Sequence, residues 1–301
     1  GMQAVIYAHD QIKAGSCDIA IAGGMESMSN APHVLPNARG GVGTGDKTIH
    51  DHMFLDGLQD AYTGRAMGTF AQETADKAGL TREQMDAYAL ESLRRAKDAI
   101  DNGYLSAETA PVTVTTRHSE TVVTDDEQPH KAKVDKIPNL RPAFAKDGTI
   151  TAANASSISD GASALVLMKA SEAEKRGLKP MAKIVAHSRQ SQAPEDFTTA
   201  PVGSLTKLYA KTGWTKDDVD LFEINEAFAM VTMLTMQEHD LDHAKVNIHG
   251  GACAQGHPIG STGSRIIISL MYALKQYGKQ KGIASLCIGG GEALAVAIEM
   301  L

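Results

Sequence analysis

One supersecondary unit occurs twice in this sequence, once near each end. Each copy consists of a helix, a glycine, an apolar strand and a run of glycines. The first copy comprises residues 2–14, Gly15, Asp18–Ala22 and Gly23-Gly24, and the second comprises Ile266–Tyr277, Gly278, Ile283–Ile288 and Gly289-Gly290-Gly291. A repeated unit of helix and strand buries its apolar faces by packing in the same way twice, so the repeat predicts two similar α/β halves.

A glycine-rich loop precedes the helix of the second copy. Residues 246–265 have the sequence V-N-I-H-G-G-A-C-A-Q-G-H-P-I-G-S-T-G-S-R, with His249, Cys253 and His257 among the glycines. Glycine lets backbone approach a ligand and Pro258 restricts the chain beside His257, which suits a fixed imidazole; an ordinary strand-to-helix turn has the same composition. In the first copy the equivalent loop would lie before Gly1, so we expect part of the first half to be missing from this chain.

Two further side chains are predicted at the ends of strands. Cys287 lies at the end of the strand before the triple glycine, where bare backbone N–H groups can face its sulfur, and Asn225 follows the strand Val219–Ile224. His257 and Cys287 are therefore a candidate pair for nucleophilic or acid–base chemistry, and the Asn225 amide can donate into the same cleft. A buried structural cysteine and a helix-capping asparagine are the alternatives. Sites of α/β proteins gather at the carboxyl ends of strands, which favours the functional interpretation.

Composition argues against several classes of function. None of the apolar runs approaches the roughly 20 residues of a membrane-spanning helix, so we predict no membrane span. A net charge of −7 argues against nucleic-acid binding. The 3 cysteines lack zinc spacing and predict reduced thiols, a cytoplasmic location and no disulfide framework. His50, Asp51 and His52 lie in a turn-rich segment without further ligands, so no metal site is expected there.

Capping signals and charges predict local features of the remaining chain. The helix predicted over residues 81–102 starts with a capping box of Thr81 and Gln84, and a short helix is predicted with Ser171 as its cap. Lys133 lies in a polar, proline-punctuated loop, which suits either contact with a phosphate or solvent alone.

Several motifs together resemble the thiolase family. These motifs are G-G-M-E-S-M-S at 23–29, N-A-S at 154–156, N-E-A-F at 225–228, G-G-A-x-A-x-G-H-P-x-G at 250–260 and C-x-G-G-G at 287–291. The resemblance covers the whole chain. It implies a five-layer αβαβα architecture of two pseudo-symmetric halves with the first half incomplete, divided as 1–178 and 179–301, and a loop domain inserted at about 30–155. The implied activity interconverts two acetyl-CoA with acetoacetyl-CoA and CoA.

The resemblance also implies roles for individual residues. His257 would activate a nucleophilic thiol and form an oxyanion hole with a water held by the Asn225 amide. Cys287 would move a proton on and off the α-carbon of acetyl-CoA, next to a second oxyanion hole at the Gly289 N–H. We expect Cys287 to ionise readily beside N–H dipoles and a histidine. The implied substrate contacts are Ser156 near the pantetheine arm, Phe144 and Phe228 as pocket walls, and Met67, Arg65 and Lys133 along CoA.

The sequence departs from the family pattern at its first residues. The family nucleophile lies in C-G-S/A-G-M, and this chain begins at Gly1-Met2. We therefore expect a chain of the thiolase family that is inactive because the nucleophilic cysteine is absent. We also expect its uncovered apolar faces to favour aggregation. The alternatives are a catalytically inactive thiolase-like protein that binds acyl-CoA or lipid, and a hydrolase with Cys287 as its nucleophile.

The resemblance implies acyl-CoA and CoA as partners, with CoA as a substrate and no separate cofactor or metal. It also implies a homo-oligomer, a dimer or a tetramer, with contacts from residues 33–64. Ala66 stands where biosynthetic relatives often carry a histidine, which leaves the acyl-chain length and the physiological direction open.

Overall fold

The computed structural model describes all residues from Gly1 to Leu301. Its helices are α1 Met2–Lys13, α2 Met67–Lys77, α3 Arg82–Asp101, α4 Gln128–Lys131, α5 Ala170–Lys175, α6 Ala200–Thr212, α7 Ala229–His239, α8 Ala252–Gln255 and α9 Ile259–Gln276. Its strands are β1 Ile19–Ser27, β2 His33–Val34, β3 His50–Asp51, β4 Val112–Thr115, β5 Glu120–Val123, β6 Asp160–Met168, β7 Ala182–Ser191, β8 Leu221–Ile224, β9 Lys281–Ile288 and β10 Glu292–Met300.

The strands form two principal sheets. β1 and β6 pair antiparallel, and the second sheet has the order β7-β10-β9-β8, in which β8 and β9 run parallel. β9 pairs antiparallel with β10 as β1 does with β6. The units α1–β1–β6 and α9–β9–β10 therefore correspond, which confirms the predicted pseudo-symmetry. The strands β2–β3 and β4–β5 make small separate sheets in the chain between β1 and β6.

α1 and α9 lie between the two sheets. The core cluster around them joins Val5 of α1, Leu270 of α9, Ala22 of β1 and Val296 of β10. α6 packs on the opposite face of the second sheet through Leu205 and its neighbours. The resulting order of layers is sheet, helices, sheet, helix, as expected for the αβαβα architecture.

The side chains of β10 show why the second sheet is covered on both faces. Leu294, Val296 and Ile298 belong to the cluster with α1 and α9, whereas Ala295 and Ala297 belong to the cluster with α6. Because successive side chains of a strand point to opposite faces, an almost continuous apolar run fills both layers at once.

The first sheet is covered on one face. Its outward side chains Ile21, Met25 and Val166 are 77%, 73% and 63% exposed, while Leu165 and Leu167 pack against the central helices. This surface is the apolar face that the sequence led us to expect. Its effect on solubility stays a prediction.

Three local predictions were wrong. β1 does not stop at Gly23-Gly24 but runs to Ser27, because these glycines serve close approach rather than a turn: a β-carbon on Gly24 would overlap the Gly260 carbonyl. α9 starts at Ile259, earlier than the apolar periodicity indicated. α5 begins after Lys169 without any side-chain cap, so Ser171 is not its N-cap. The capping box of Thr81 and Gln84 on α3 is confirmed.

None of the helices combines the length and the apolar content needed to cross a bilayer. His50, Asp51 and His52 form no cluster of converging metal ligands: Asp51 accepts from the Met53 N–H, and His52 faces Asp56.

Candidate active site

Two adjacent parallel strands bring Asn225 and Cys287 to the same edge of the second sheet. Ile224 of β8 is paired with Ser285 of β9, and the Asn225 N–H donates to the Ser285 carbonyl at 2.9 Å. Asn225 follows β8 directly and Cys287 lies two residues beyond Ser285. Asn225 does not cap α7, since the N-cap of that helix is Phe228. The capping alternative for Asn225 is therefore excluded.

His257 reaches this edge from the turn between α8 and α9. Gly256 precedes it with φ +80°, a conformation that favours glycine. The His257 N–H donates to the Ser157 carbonyl at 3.3 Å, which ties the turn to the N-A-S segment. His257 Nε2 lies 3.4 Å from the Asn225 amide nitrogen. The two candidate residues are thus in contact, as the sequence predicted.

The hydrogen bonds of Thr262 define the tautomer of His257. Thr262 Oγ1 donates its hydrogen to the Pro258 carbonyl at 3.0 Å and lies 2.7 Å from His257 Nδ1. Because the hydroxyl hydrogen is already used, Nδ1 is the donor to Thr262. Nε2 then keeps its lone pair and accepts from Asn225. The imidazole therefore presents a base to the cleft, held from behind by α9.

Burial and a nearby cation keep His257 neutral. Burial, and second to it the positive charge of Arg265, lower the pKa of His257 to about 3. The folded-state pKa thus lies below that of an unfolded histidine, near 6.5, so this group's contribution to stability is lost as the pH falls from about 6.5 towards 3. At neutral pH His257 is therefore unprotonated, and its ring carries no charge.

Cys287 is less acidic than expected from the sequence. Its side chain is buried, and burial raises the pKa of the thiol to about 12, opposed only by a backbone hydrogen bond. No hydrogen bond links it to His257, whose nitrogens contact Thr262 and Asn225. The expectation of a readily ionised Cys287 was wrong, because desolvation outweighs the N–H dipoles.

The predicted pocket residues surround Cys287. Phe144 and Phe228 pack edge to face with ring centroids 6.0 Å apart, in the same apolar cluster as Met67 and Cys287. A β-carbon built on Gly289, which is exposed in the turn between β9 and β10, would lie 3.8 Å from Met67 Cε. These side chains form an apolar wall beside the polar cluster of His257 and Asn225.

Ser156 lies between the pocket and the strand end. Its Oγ donates to the Ala227 carbonyl at 2.9 Å, and Ala155 forms a bridge with Phe228. The N-A-S and N-E-A-F motifs are therefore in direct contact.

Arg65 and Lys133, the two predicted phosphate contacts, do not contact the other predicted site residues. Arg65 pairs with Glu73 and stacks over the Phe70 ring at 4.5 Å. Lys133 is exposed and forms no ion pair. Their role towards CoA stays a prediction.

Sequence reasoning missed Glu226, whose carboxylate holds several segments around the site together through hydrogen bonds. It is fully buried and accepts from Tyr88 and Asn247 at Oε1 and from Ser92 and the Cys253 N–H at Oε2, all within 2.8–3.0 Å. Neutral donors alone satisfy this charge. The available signal was an acidic residue between the apolar strand β8 and an apolar helix.

Arg265 was also missed, because it lies at the end of the glycine-rich loop, just before the apolar run of α9. Its Nη2 donates to the Gly256 carbonyl at 2.8 Å, immediately before His257. It lines an enclosed cavity of ≈ 10 Å³ together with Glu223, Asn225 and His249. That volume is room for about one water. Arg265 is therefore placed to hold the His257 turn and to set the charge around it.

Replacing Arg265 should change the titration of His257. We expect Arg265→Met to raise the His257 pKa above about 3, because a positive charge that disfavours imidazolium is removed. Arg265→Lys keeps the charge and serves as the matched control, in which the pKa stays low. Histidine ring resonances followed by NMR over pH measure both. An unchanged titration in the Met variant would show that burial alone sets this pKa.

Comparison with known families identifies the architecture. The family model of the thiolase N-terminal domain matches residues 1–171, and that of the thiolase C-terminal domain matches residues 178–300. The chain belongs to the thiolase family. Among its curated thiolase relatives, a probable acetyl-CoA acetyltransferase of Dictyostelium discoideum is 44% identical, with 100% of this chain and 73% of the relative covered. An acetyl-CoA acetyltransferase of Allochromatium vinosum is 45% identical, with 100% and 77% covered.

Solved thiolase structures have the same fold. The acetyl-CoA acetyltransferase of Bacillus anthracis superimposes with a TM-score of 0.96 at 41% identity, and covers 100% of this chain and 76% of its own. The Acat5 thiolase of Ascaris suum, solved in complex with coenzyme A, gives a TM-score of 0.93 at 40% identity with the same coverage.

Proposed function

We propose that this thiolase is an acetyl-CoA C-acyltransferase that interconverts two acetyl-CoA with acetoacetyl-CoA and CoA. The observation that carries the proposal is the neutral His257 imidazole, with its Nε2 lone pair beside the Asn225 amide at the strand edge that also bears Cys287. Relatives named acetyl-CoA acetyltransferase support the acetyl group as the unit transferred.

In this proposal His257 and Asn225 serve acyl transfer to a thiol. Nε2, whose lone pair is free of a ring proton, accepts the proton of the attacking thiol. The Asn225 amide, with a water that it orients, donates to the oxygen that becomes negative as the thiol attacks the thioester. Each such donor contributes about 3–4 kcal/mol of transition-state stabilisation.

Cys287 handles the proton on carbon. In the cleavage direction the bond between the acetyl group and the α-carbon of acetoacetyl-CoA breaks, and its electron pair is left as the enolate of acetyl-CoA. The Cys287 S–H gives its proton to that α-carbon, while the Gly289 N–H donates to the enolate oxygen. A pKa of about 12 keeps Cys287 protonated before this step and makes it a poor nucleophile.

None of the three cysteines of this chain is assigned the role of the thiol that carries the acyl group. Burial and the Glu226 carboxylate raise the pKa of Cys253 well above its usual value, and its Sγ faces the Glu226 carbonyl. Cys287 has the proton role, and Cys17 lies between α1 and β1, outside the motifs that form the candidate site. We propose that treatment with acetyl-CoA leaves all of them unacetylated, which peptide mass spectrometry measures.

CoA-dependent cleavage of acetoacetyl-CoA tests the function. The assay uses this chain and a chimera that adds to it the residues of the Allochromatium vinosum relative that lie outside the matched 77%. We expect turnover by the chimera, and a loss of kcat of about 10²–10⁴-fold in its His257→Asn and Cys287→Ser variants. His118→Gln, an exposed histidine in the loop between β4 and β5, is the control and should retain full activity.

Two outcomes would contradict this assignment. Binding of CoA by the chimera without any cleavage would favour the alternative of an inactive thiolase-like protein that binds acyl-CoA or lipid. Acetylation of Cys287 or Cys253 in the unmodified chain would instead give one of these thiols the nucleophilic role.

The proposal extends to the assembly and the division of the chain. We propose two halves, 1–178 and 179–301, with residues of about 30–155 inserted in the first and a homo-oligomer as the working form. Support for oligomer contacts from residues 33–64 comes from their exposed apolar side chains, such as Ile49 and Tyr62 at 62% and 83%.

A further inference from the structure

A second group of polar side chains converges where α1 meets β7. Asp10 Oδ1 lies 2.8 Å from His187 Nε2 and 3.1 Å from His9 Nδ1. The imidazole rings are perpendicular, with centroids 5.3 Å apart, and one donor atom from each residue lies within 4.8 Å of the others. None of these residues contacts the candidate active site.

We propose that His9, Asp10 and His187 form a binding site for a divalent transition metal, with Zn²⁺ as its preferred ion. Two imidazoles and a carboxylate are a ligand set that zinc takes, with a water in the fourth position. In a tetrahedral zinc site with bonds of about 2.0–2.1 Å, neighbouring ligand atoms lie about 3.3 Å apart. The observed 2.8 and 3.1 Å are close to this spacing, so small side-chain shifts open the site.

Burial prepares the imidazoles for this role. The side chains of His9 and His187 are 15% and 21% exposed, and that of Asp10 is 53% exposed. Packing therefore restrains both rings, while the outer side stays open to water. Each ring places its proton on the other nitrogen when the ion binds, so neutral histidines release no net proton.

The charged neighbours of the site are already engaged or point elsewhere. Lys211 of α6 donates to the His187 carbonyl at 2.8 Å, and Arg189 of β7 donates to the Gln3 side chain at 2.7 Å. Lys13 follows one turn later on α1 and lowers the His9 pKa slightly. These cations moderate the affinity, which we expect in the micromolar range.

The site would join the two halves of the fold. His9 and Asp10 belong to α1, which is part of the first half, whereas His187 lies on β7, the edge strand of the second sheet. A bound ion fixes α1 to that edge. It should therefore raise the melting temperature, since it binds the folded chain and not the separated elements.

Titration of the purified chain with ZnCl₂ and CoCl₂ tests the site. We expect one ion per chain by calorimetry, a visible absorption band of tetrahedral Co²⁺, and a melting temperature higher by several degrees in excess zinc. Asp10→Asn and His187→Gln should each weaken binding at least tenfold. His118→Gln, which alters an exposed histidine elsewhere, should bind normally.

The variants separate this site from other ligands such as Cys17. Melting curves without metal establish that each variant is folded. Binding that persists in both Asp10→Asn and His187→Gln, or no binding by the folded parent chain, would overturn the proposal.

Discussion

Glu226→Gln should be among the most destabilising single changes in this protein, lowering the free energy of unfolding by about 2–5 kcal/mol. The buried carboxylate accepts four hydrogen bonds from Tyr88, Ser92, Asn247 and the Cys253 N–H. A glutamine has the same shape, but an NH₂ group replaces one of the two carboxylate oxygens. The two donors that faced this oxygen then meet hydrogens and lose their acceptor. Urea unfolding followed by circular dichroism measures the change.

Two further variants define the cause. Glu238→Gln changes an exposed carboxylate on α7 and should stay within about 0.5 kcal/mol of the parent. Tyr88→Phe removes one donor and leaves the charge in place, so we expect a cost of about 1.5–3 kcal/mol. If Glu226→Gln cost no more than Glu238→Gln, the carboxylate would not be the anchor of the site.

Gly24→Ala is the second change with a large expected effect. A β-carbon at this position would overlap the carbonyl of Gly260, and one on Gly260 would overlap the carbonyl of Met25. β1 and the start of α9 are therefore in direct backbone contact. Because backbone cannot rotate away as a side chain does, we expect a loss of about 3 kcal/mol or more.

The same change should disturb the candidate active site. His257 lies three residues before Gly260, so displacing the first turn of α9 lengthens the contact of His257 with Thr262 and with Asn225. In the chimera we expect kcat to fall together with stability. Gly40→Ala is the control, since a β-carbon there meets nothing within 4 Å and the variant should unfold and react like the parent. Equal stability of the Gly24 and Gly40 variants would show that β1 can move without cost.

Sequence reasoning succeeded where the signal was local or repeated. The capping box of α3 uses residues three apart, and the correspondence of α1–β1 with α9–β9 follows from the order of helix, glycine and strand. Asn225 and Cys287 were placed together because parallel neighbouring strands end at one edge. These features depend on residues that are close in sequence, so the residue types alone indicate them.

It failed where contacts join distant segments. The donors to Glu226 come from residues 88, 92, 247 and 253, and no spacing in the sequence shows that they meet. The strand was predicted to end at Ala22, because the carbonyls of Ser163 and Gly260, which exclude a side chain at Gly23 and Gly24, are far along the chain. The raised pKa of Cys287 depends on burial in an apolar cluster that forms only in the tertiary structure.

The position of α9 between both sheets has a consequence for motion. A helix packed on β1 and β6 from one side and on β8 and β9 from the other can open only when much of the core opens with it. We therefore expect the amide hydrogens of α9 to exchange at rates close to those of global unfolding. His257 lies two residues before α9 and is then a fixed reference point, so entry and exit of a large ligand must depend on movements of segments other than this helix.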